Sequence, residues 1–290
     1  MRETLAELMA ARYGHSGEDD FPESLPHEWP GDVTDEARET LAGLLGRSTC
    51  RRFREDPLPA GLLEMLLACA QSAPSKSDLQ QYSIVVVESA QARKEIAGWL
   101  SSQPWVGAAP VFLVICGDVR RNRRVCETQQ RPHANNNLDT FMNAAVDAAL
   151  AMGALIAAAE AAGLGTCPIS GLRNSIEDAT RLLDLPEGVF PIAGLCLGYP
   201  EALEPRSPRL PQDIVVHRER YREEHLEPSL ADYDRRRHGL GPLPPGKQKN
   251  AQVYGVSEVC TWSDQVSRQL SIPERAGFGA FLRGRGISPD

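Results

Sequence analysis

The sequence contains no CxxC pair and no group of histidines at the spacing of metal ligands. Its seven cysteines are an odd number, are scattered along the chain and mostly lie in apolar runs. Disulfide scaffolds and structural zinc sites depend on cysteines at regular, usually paired, spacings. We therefore expect buried free thiols in a reducing cytoplasm, and disulfides or zinc are the disfavoured alternatives.

The chain also lacks an excess of positive charge, because its formal net charge is -8. Proteins whose main partner is nucleic acid or an anionic membrane usually present a basic surface. Both partners are disfavoured, and the arginine clusters described below must be interpreted locally. The first residues lack a basic region followed by a long apolar one, so we expect no signal peptide.

One long apolar segment, 142–163, is long enough at about 1.5 Å per residue to span about 30 Å of hydrocarbon. Asp147 and Glu160 interrupt it, and its commonest residue, alanine, is only weakly hydrophobic. We expect a buried central helix that is apolar on nearly all sides. Its small residues would allow close packing in the core or across a dimer interface.

What is present is enough apolar sequence for a full core: 42% of the 290 residues are hydrophobic. Periodicity and capping residues predict helices over 35–46 (capped by Thr34), 60–71, 176–185 and 263–270, and strands over 82–88, 110–117 and 189–197. Residues 1–33 predict a helix followed by an irregular arm, 163–172 a glycine-rich turn, and 242–246 a loop. Helices and strands alternate, which indicates an α/β or α+β sandwich.

Three polar clusters carry the candidate chemistry. The first joins Arg47, Arg51 and Arg52 to the hydroxyls of Ser48 and Thr49, and it could bind a phosphate through charge-assisted hydrogen bonds. A solvated basic turn is the alternative. The second, 73–80, offers hydroxyl, amine, carboxylate and amide groups just before a strand. Alone, it predicts only a loop.

The third cluster is 170–174. There Gly171 permits a flat ligand to approach the backbone closely, and Ser175 can cap the following helix together with Asp178. A structural turn is the alternative. Taken together, the basic cluster at 47–52 and the stretch 163–200 suggest a bound phosphorylated cofactor.

The order and spacing of five motifs resemble the nitroreductase superfamily of FMN enzymes, and within it the oxygen-insensitive NADPH nitroreductase and flavin reductase subgroup. The motifs are Arg-Ser-Thr-Cys-Arg-Arg-Phe (47–53), Ala-Pro-Ser-Lys-Ser-Asp-Leu-Gln (73–80), Gly-Leu-Gly-Thr-Cys-Pro-Ile-Ser-Gly-Leu-Arg-Asn (163–174), Gly-Leu-Cys-Leu-Gly-Tyr-Pro (194–200) and Pro-Arg-Leu-Pro (208–211). The resemblance runs from about Leu44 to Pro211, with a weaker match at 261–264.

This resemblance implies an α+β fold, a nitroreductase-like sandwich with a central, mainly antiparallel sheet flanked by helices. It also implies an intertwined homodimer with FMN at the interface. Three segments are then expected: an N-terminal extension (1–33), an FMN-binding core (34–211) and a C-terminal extension (212–290) that wraps the dimer and shapes the active-site entrance.

The resemblance also implies roles for individual residues. Those matching cofactor-binding positions of the family are Arg47, Ser48, Thr49, Arg51, Ser75, Ser77, Gln80, Ser170, Gly171 and Arg209. Ser75, Ser77 and Gln80 would reach FMN from the partner subunit, and Arg209 would bind its phosphate. Arg173 would lie at the entrance and bind substrate. No residue is assigned as a catalytic nucleophile or base, and none as a metal ligand.

The sequence departs from the family pattern at three positions within or next to these motifs. Asp78 stands where asparagine is frequent, Pro168 where an aromatic residue or a backbone N–H donor is usual, and Ser207 where the subgroup commonly has a phosphate-binding lysine. Arg206, the neighbour of Ser207, is the candidate replacement. Segment 239–259 is longer than expected and lacks the subgroup's basic donor-binding pattern.

The implied function is a cytoplasmic, FMN-dependent oxidoreductase that takes hydride from NADPH or NADH and passes it to a nitroaromatic, quinone or flavin acceptor by a ping-pong mechanism. The alternatives are a reductive dehalogenase or flavin-dependent oxidase of the same superfamily, a non-catalytic flavin carrier, and a phosphate-binding protein without flavin.

Overall fold

The computed structural model describes residues 3–14, 25–202 and 204–288. The chain forms two compact units. Unit 1 comprises Met1–Arg47 and Pro205–Glu274, and unit 2 comprises Ser48–Glu204 and Arg275–Asp290. Each unit is thus built from two stretches of chain that are distant in sequence.

The described residues form twelve α-helices and four strands. In chain order the helices are α1 (Leu5–Tyr13), α2 (Asp35–Gly46), α3 (Leu62–Gln71), α4 (Ala90–Trp99), α5 (Trp105–Ala108), α6 (Arg120–Thr128), α7 (Leu138–Ala161), α8 (Ile176–Leu182), α9 (Leu226–Gly239), α10 (Ala251–Tyr254), α11 (Trp262–Leu270) and α12 (Phe278–Gly284). The strands are β1 (Tyr82–Val86), β2 (Val111–Asp118), β3 (Gly165–Ile169) and β4 (Val189–Gly198). Short 3-10 helices cover Lys76–Asp78, Ser170–Ser175, Gln212–Ile214 and Pro245–Lys247.

Unit 2 contains the sheet, whose strand order is β1-β2-β4-β3. All three neighbouring pairs are antiparallel, and the register of β2 against β4 shifts between Ile115 and Cys116. Successive side chains of a strand point to opposite faces. Phe112 and Val114 therefore pack with α4, α5 and α8, whereas Leu113 and Ile115 pack with α3 and α7. The predicted α+β sandwich with a mainly antiparallel sheet is confirmed.

Helix α7 is buried on one face only. The buried positions that face the core are Ala144, Ala148, Ala151, Leu155 and Ala159. On the other side lie four exposed apolar side chains, Leu138, Met142, Val146 and Leu150, which we call the apolar stripe. By length and composition this helix could cross a membrane. The expectation of a helix buried on nearly all sides is correct for the core-facing side and wrong for the stripe.

Unit 1 is helical in its described part. Thr34 caps α2 as predicted, because its hydroxyl accepts a hydrogen bond from the N–H of Ala37 at 3.3 Å. Helices α9 and α11 pack through Tyr233 and Trp262, whose rings lie edge to face with centroids 5.4 Å apart. The predicted helix in the N-terminal extension is present as α1, and the irregular arm that follows it lies partly in 15–24, outside the described residues.

Two local predictions need correction. The glycine-rich segment 163–172 is not only a turn, because it contains the edge strand β3, which tolerates Pro168 since an edge position needs no second ladder. Ser175 precedes α8 but makes no side-chain cap, and Asp178 pairs with Arg181 instead.

All seven cysteines are free, and five are buried, as expected. Cys69 is exposed and Cys126 half-buried.

Candidate functional site

The basic segment 48–54 is held against the sheet of unit 2 by backbone hydrogen bonds. The N–H of Cys50 donates to the carbonyl of Thr166 in β3 at 2.8 Å. Farther along, the N–H of Arg54 donates to Tyr199 and that of Glu201 to Arg52, both at 2.9 Å. Ser48 and Thr49 are half-buried in this segment. The backbone that presents them is thus attached to the strand that leads into Ser170.

The arginines of this segment differ in their surroundings. The guanidinium of Arg51 lies 5.6 Å from the ring centroid of Trp105, at cation–π distance. Arg52 instead lies 3.4 Å from the carboxylate of Glu204. The indole N–H of Trp105 is buried and has no hydrogen-bond partner within the described ranges. Both arginines are exposed, but Arg52 has a carboxylate partner, whereas Arg51 lies beside the ring of Trp105.

The 3-10 helix Ser170–Ser175 follows β3 directly and carries three predicted site residues. A Cβ on Gly171 would lie 2.8 Å from Nε2 of Gln103 and 3.0 Å from Cδ2 of Leu100, so glycine lets these side chains approach. Arg173 is half-buried and donates to the carbonyl of Ile192. Arg173, which is predicted to bind substrate at the entrance, therefore also donates a hydrogen bond to the backbone of β4.

A cation that sequence reasoning did not identify lies beside this turn. The Nε of Arg275 donates to Oδ1 of Asn174 at 2.9 Å, and its Nη2 lies 3.4 Å from the carbonyl of Ser170. Arg275 belongs to the second stretch of unit 2 and is itself in the left-handed region, with φ 54. Nothing in its local sequence predicts this contact.

The loop that carries Ser75, Ser77 and Gln80 has an unusual backbone. Ser77, Asp78 and Gln80 have φ values of 50, 57 and 49. The left-handed region costs free energy for residues other than glycine, so surrounding contacts must hold this loop. Asp78 accepts a hydrogen bond from the side chain of Gln80 at 2.9 Å. The carboxylate that departs from the family pattern therefore has a partner inside the loop.

Two charged residues hold this loop from outside. Asp147 is 1% exposed in α7, and its two carboxylate oxygens accept the backbone N–H groups of Lys76 at 2.9 Å and Gln81 at 3.0 Å. Arg121 of α6 donates to the carbonyl of Gln80 at 2.7 Å and to that of Tyr82 at 3.1 Å. Asp147 therefore binds backbone donors at both ends of the loop, and Arg121 binds backbone acceptors at its C-terminal end.

The loop and Ser170 lie at opposite edges of the sheet. The loop leads into β1, and Ser170 follows β3, with β2 and β4 between them. Three steps between neighbouring strands correspond to about 14 Å. One chain therefore does not bring Ser75, Ser77 and Gln80 together with Ser170 and Gly171.

Unit 1 contains a cluster of four arginines, Arg12, Arg47, Arg206 and Arg209, which we call the arginine cluster. Arg12 is 4% exposed. Burial first, and then the positive charges of Arg209, Arg47 and Arg206, lower the pKa of its guanidinium. These like charges repel one another, and a phosphate dianion would offset the repulsion. The donor chemistry of Arg47 and Arg209 therefore fits the phosphate end of FMN.

Comparison with known proteins places the chain. The family model for the nitroreductase family matches residues 44–199, and that for the nitroreductase family C-terminal domain matches 207–290. The chain belongs to the nitroreductase family. The FMN reductase [NAD(P)H] of Bacillus subtilis is 35% identical over 199 residues, which is 68% of this chain and 80% of that protein. The oxygen-insensitive NADPH nitroreductase of Salmonella typhimurium is 32% identical over 253 residues, or 85% of this chain and 97% of that protein.

Solved structures of similar proteins share the fold of this nitroreductase-family chain. The NADPH:FMN oxidoreductase of Vibrio harveyi, complexed with NAD+, superposes with a TM-score of 0.74 at 29% identity and covers 87% of this chain and 99% of its own. The hypothetical oxidoreductase YcnD of Bacillus subtilis has a TM-score of 0.78 at 29% identity, with the same coverage of both chains.

Sequence reasoning missed the two residues that hold the loop of this family member. Asp147 was noted only as an interruption of an apolar segment. A lone carboxylate inside an alanine-rich helix is itself a signal, because a buried charge requires partners. Arg121 had no such signal, since it is one of four arginines in α6 and only the fold shows which one faces the loop.

Proposed function

We propose that the protein passes hydride from NAD(P)H through bound FMN to a nitroaromatic, quinone or flavin acceptor by a ping-pong mechanism. The protein is an NAD(P)H-dependent flavin oxidoreductase. Its relatives over most of the chain include FMN reductases and NADPH nitroreductases. The choice of acceptor and the ping-pong order of reaction are what we add by proposal.

The observation that carries the proposal is the arginine cluster within a chain of this family. Arg47 follows α2, and Arg209 lies where its backbone N–H bonds to the carbonyl of Arg12 at 2.8 Å. Guanidinium groups bind phosphate through charge-assisted, often bidentate, hydrogen bonds. Arg47 and Arg209 would therefore bind the FMN phosphate.

The remaining cofactor contacts are assigned to two segments next to β3. Ser48, Thr49 and Arg51 lie on the segment attached to β3, and their hydroxyl and guanidinium groups suit phosphate and ribityl oxygens. Ser170 and Gly171 would offer backbone N–H groups to the flavin ring. Arg173 stays assigned to substrate at the entrance, although its guanidinium also contacts Ile192.

When bound, FMN supplies the hydride chemistry, and the protein supplies binding, orientation and electrostatics. The residues assigned above bind and orient but do not exchange protons. The cationic groups on the 48–54 segment would favour negative charge in the site. We therefore assign no catalytic side chain, nucleophile or general base.

A homodimer is part of the proposal, for two reasons. The apolar stripe on α7 is exposed in the single chain: Met142 is 56% and Val146 is 49% exposed. Contiguous exposed apolar surface of this kind commonly marks a protein interface. The second reason is the separation of Ser75, Ser77 and Gln80 from Ser170, which a second chain would resolve by contributing the loop.

The proposal includes a cytoplasmic enzyme whose partners are small molecules, with the residues from 212 onward shaping the entrance. Initial rates measured over a grid of NADPH or NADH and acceptor concentrations test it. A ping-pong mechanism gives parallel lines in double-reciprocal plots, and intersecting lines would contradict it. The acceptor panel should contain a nitroaromatic, a quinone, free FMN and a halogenated phenol. Turnover of the halogenated phenol alone would indicate a dehalogenase instead.

A further inference from the structure

Helix α1 belongs to the N-terminal extension, which precedes both stretches matched by the family models. It has nine residues, with a capping box between Thr4 and Glu7. A helix this short is marginal in isolation and depends on tertiary contacts. Leu5, Leu8 and Arg12 are its buried side chains. Of these, Arg12 is the one whose contacts reach the proposed phosphate-binding residues.

The guanidinium of Arg12 joins two segments that are far apart in sequence. Its Nε donates to the carbonyl of Leu45 at 2.9 Å, its Nη1 to that of Ser207 at 2.7 Å, and its Nη2 to that of Arg47. All three nitrogens are thereby used on backbone carbonyls. Arg12 thus ties the end of α2 and the peptide of Arg47 to the segment that leads to Arg209.

The backbone of α1 adds to this link. The N–H of Arg209 donates to the carbonyl of Arg12 at 2.8 Å. Arg236 of α9, which is 7% exposed, donates to the same carbonyl at 2.9 Å and to that of Ala10 at 2.8 Å. Cations and donors at the end of a helix satisfy its last carbonyls and favour its dipole. Hydrogen bonds from Arg209 and Arg236 therefore fix the last turn of α1, which carries Arg12.

The residue that precedes the N-cap of α1 contacts the same segment. Arg206 forms a two-point ion pair with Glu3, and its Nε donates to the carbonyl of Gly46 at 2.8 Å. Arg206 was the candidate replacement for the lysine that Ser207 lacks. Its guanidinium is engaged by Glu3 and Gly46, so it acts with α1 as a link between the same two segments.

We propose that Arg12 is a positioning residue for the phosphate end of FMN, which holds Arg47 and the 207–209 segment at a fixed separation. The inference rests on the proposed function, because it assigns Arg47 and Arg209 to the phosphate. Arg12 does not itself contact the phosphate. Its planar fork of fixed donors suits three carbonyls, and a lysine cannot reproduce that geometry.

The alternative is that Arg12 only stabilises unit 1. The two roles differ in what they do to flavins with and without a phosphate. A positioning role affects FMN and spares riboflavin, which has the same ring and ribityl chain but no phosphate. A purely structural role lowers the melting temperature and weakens both ligands alike.

The test uses the full-length apo-protein and measures the Kd of FMN and of riboflavin by quenching of flavin fluorescence, together with the melting temperature. For Arg12→Gln we expect the FMN Kd to rise roughly tenfold or more, with the riboflavin Kd within about twofold. Arg12→Lys should lie between Arg12→Gln and the wild type. Arg93→Gln is the matched control, because Arg93 also donates to two backbone carbonyls, those of Ala109 and Pro110, outside the proposed site.

Glu3→Gln provides a second variant in case Arg12→Gln does not fold. It weakens the other end of the clamp at an exposed side chain, and it should raise the FMN Kd in the same direction by a smaller factor. An unchanged FMN Kd in the folded Arg12 or Glu3 variants, or an equal rise for FMN and riboflavin, would overturn the inference. A wild-type apo-protein that binds neither flavin would overturn the proposed function itself.

Discussion

The buried carboxylate of Asp147 accepts the backbone N–H of Gln81 at 3.0 Å and thereby fastens the loop that precedes β1 to helix α7. Its second oxygen accepts the N–H of Lys76 at 2.9 Å. A single side chain therefore satisfies both ends of a loop whose backbone enters the left-handed region three times. The proposed flavin contacts of Ser75, Ser77 and Gln80 depend on this arrangement.

Asp147→Asn should destabilise the protein by about 1–3 kcal/mol, because asparagine has one acceptor oxygen and leaves one of the two backbone N–H groups without a partner. Urea denaturation measures this loss. Asp139→Asn is the matched control on the same helix, since the Asp139 side chain is 68% exposed. It should change stability by less than about 1 kcal/mol. Equal effects of the two substitutions would refute the role given to Asp147.

Arg51→Ala and Arg209→Ala should each lose FMN on purification, because each removes a cation assigned to the phosphate or ribityl chain. The expected fall in affinity is roughly tenfold to a hundredfold. The ratio of flavin absorbance to protein absorbance measures occupancy. Arg52→Ala should keep its flavin, since Arg52 is paired with Glu204 at 3.4 Å. Normal occupancy in both Arg51→Ala and Arg209→Ala would count against the site map.

Val146→Arg should convert the proposed dimer into a monomer, because it places a charge in the middle of the apolar stripe. Light scattering coupled to size-exclusion chromatography reports the mass. Val125→Arg is the control: Val125 is 58% exposed but belongs to α6 and not to the stripe, and its substitution should leave the dimer intact. A wild-type protein that is already monomeric would contradict the proposed interface.

Gly165→Ala in β3 should displace the neighbouring basic segment 48–54. A Cβ at this position would lie 2.5 Å from Cβ of Cys50 and 2.7 Å from its Sγ. Because the backbone of Cys50 is hydrogen-bonded to β3, Cys50 cannot move away without breaking that bond. We expect the free energy of unfolding to fall by about 1–3 kcal/mol. Gly98→Ala, in α4 with nothing within 4 Å, should gain up to about 1 kcal/mol. Thermal unfolding of the two variants should therefore shift in opposite directions.

Sequence reasoning reached the fold because its strongest signals are local. The β-branched runs that became β1 and β2, the apolar run that became β4, and the cap at Thr34 were correctly identified from pattern alone. Strand β3 was missed because glycine and proline within it are turn residues in isolation, and only pairing with β4 makes the segment a strand. The order of motifs predicted the family, which no single cluster could.

The contacts that hold the site could not be predicted, because they join residues distant in sequence. Arg12 meets Ser207, and Arg275 meets Asn174, only once the chain is folded. The exposed apolar stripe was equally hidden, since both faces of this helix are apolar and the sequence alone does not show which one the core covers. Asp147 is the exception: its chemistry alone required partners, and that requirement was available from the sequence.

The visible absorption spectrum of the purified protein, recorded before and after anaerobic addition of NADPH and then NADH, tests the central proposal most directly. We expect a flavin spectrum that bleaches with at least one of the two donors and returns when an acceptor is added. A flavin spectrum that neither donor bleaches would indicate a carrier. A colourless protein that cannot be reconstituted with FMN would contradict the account.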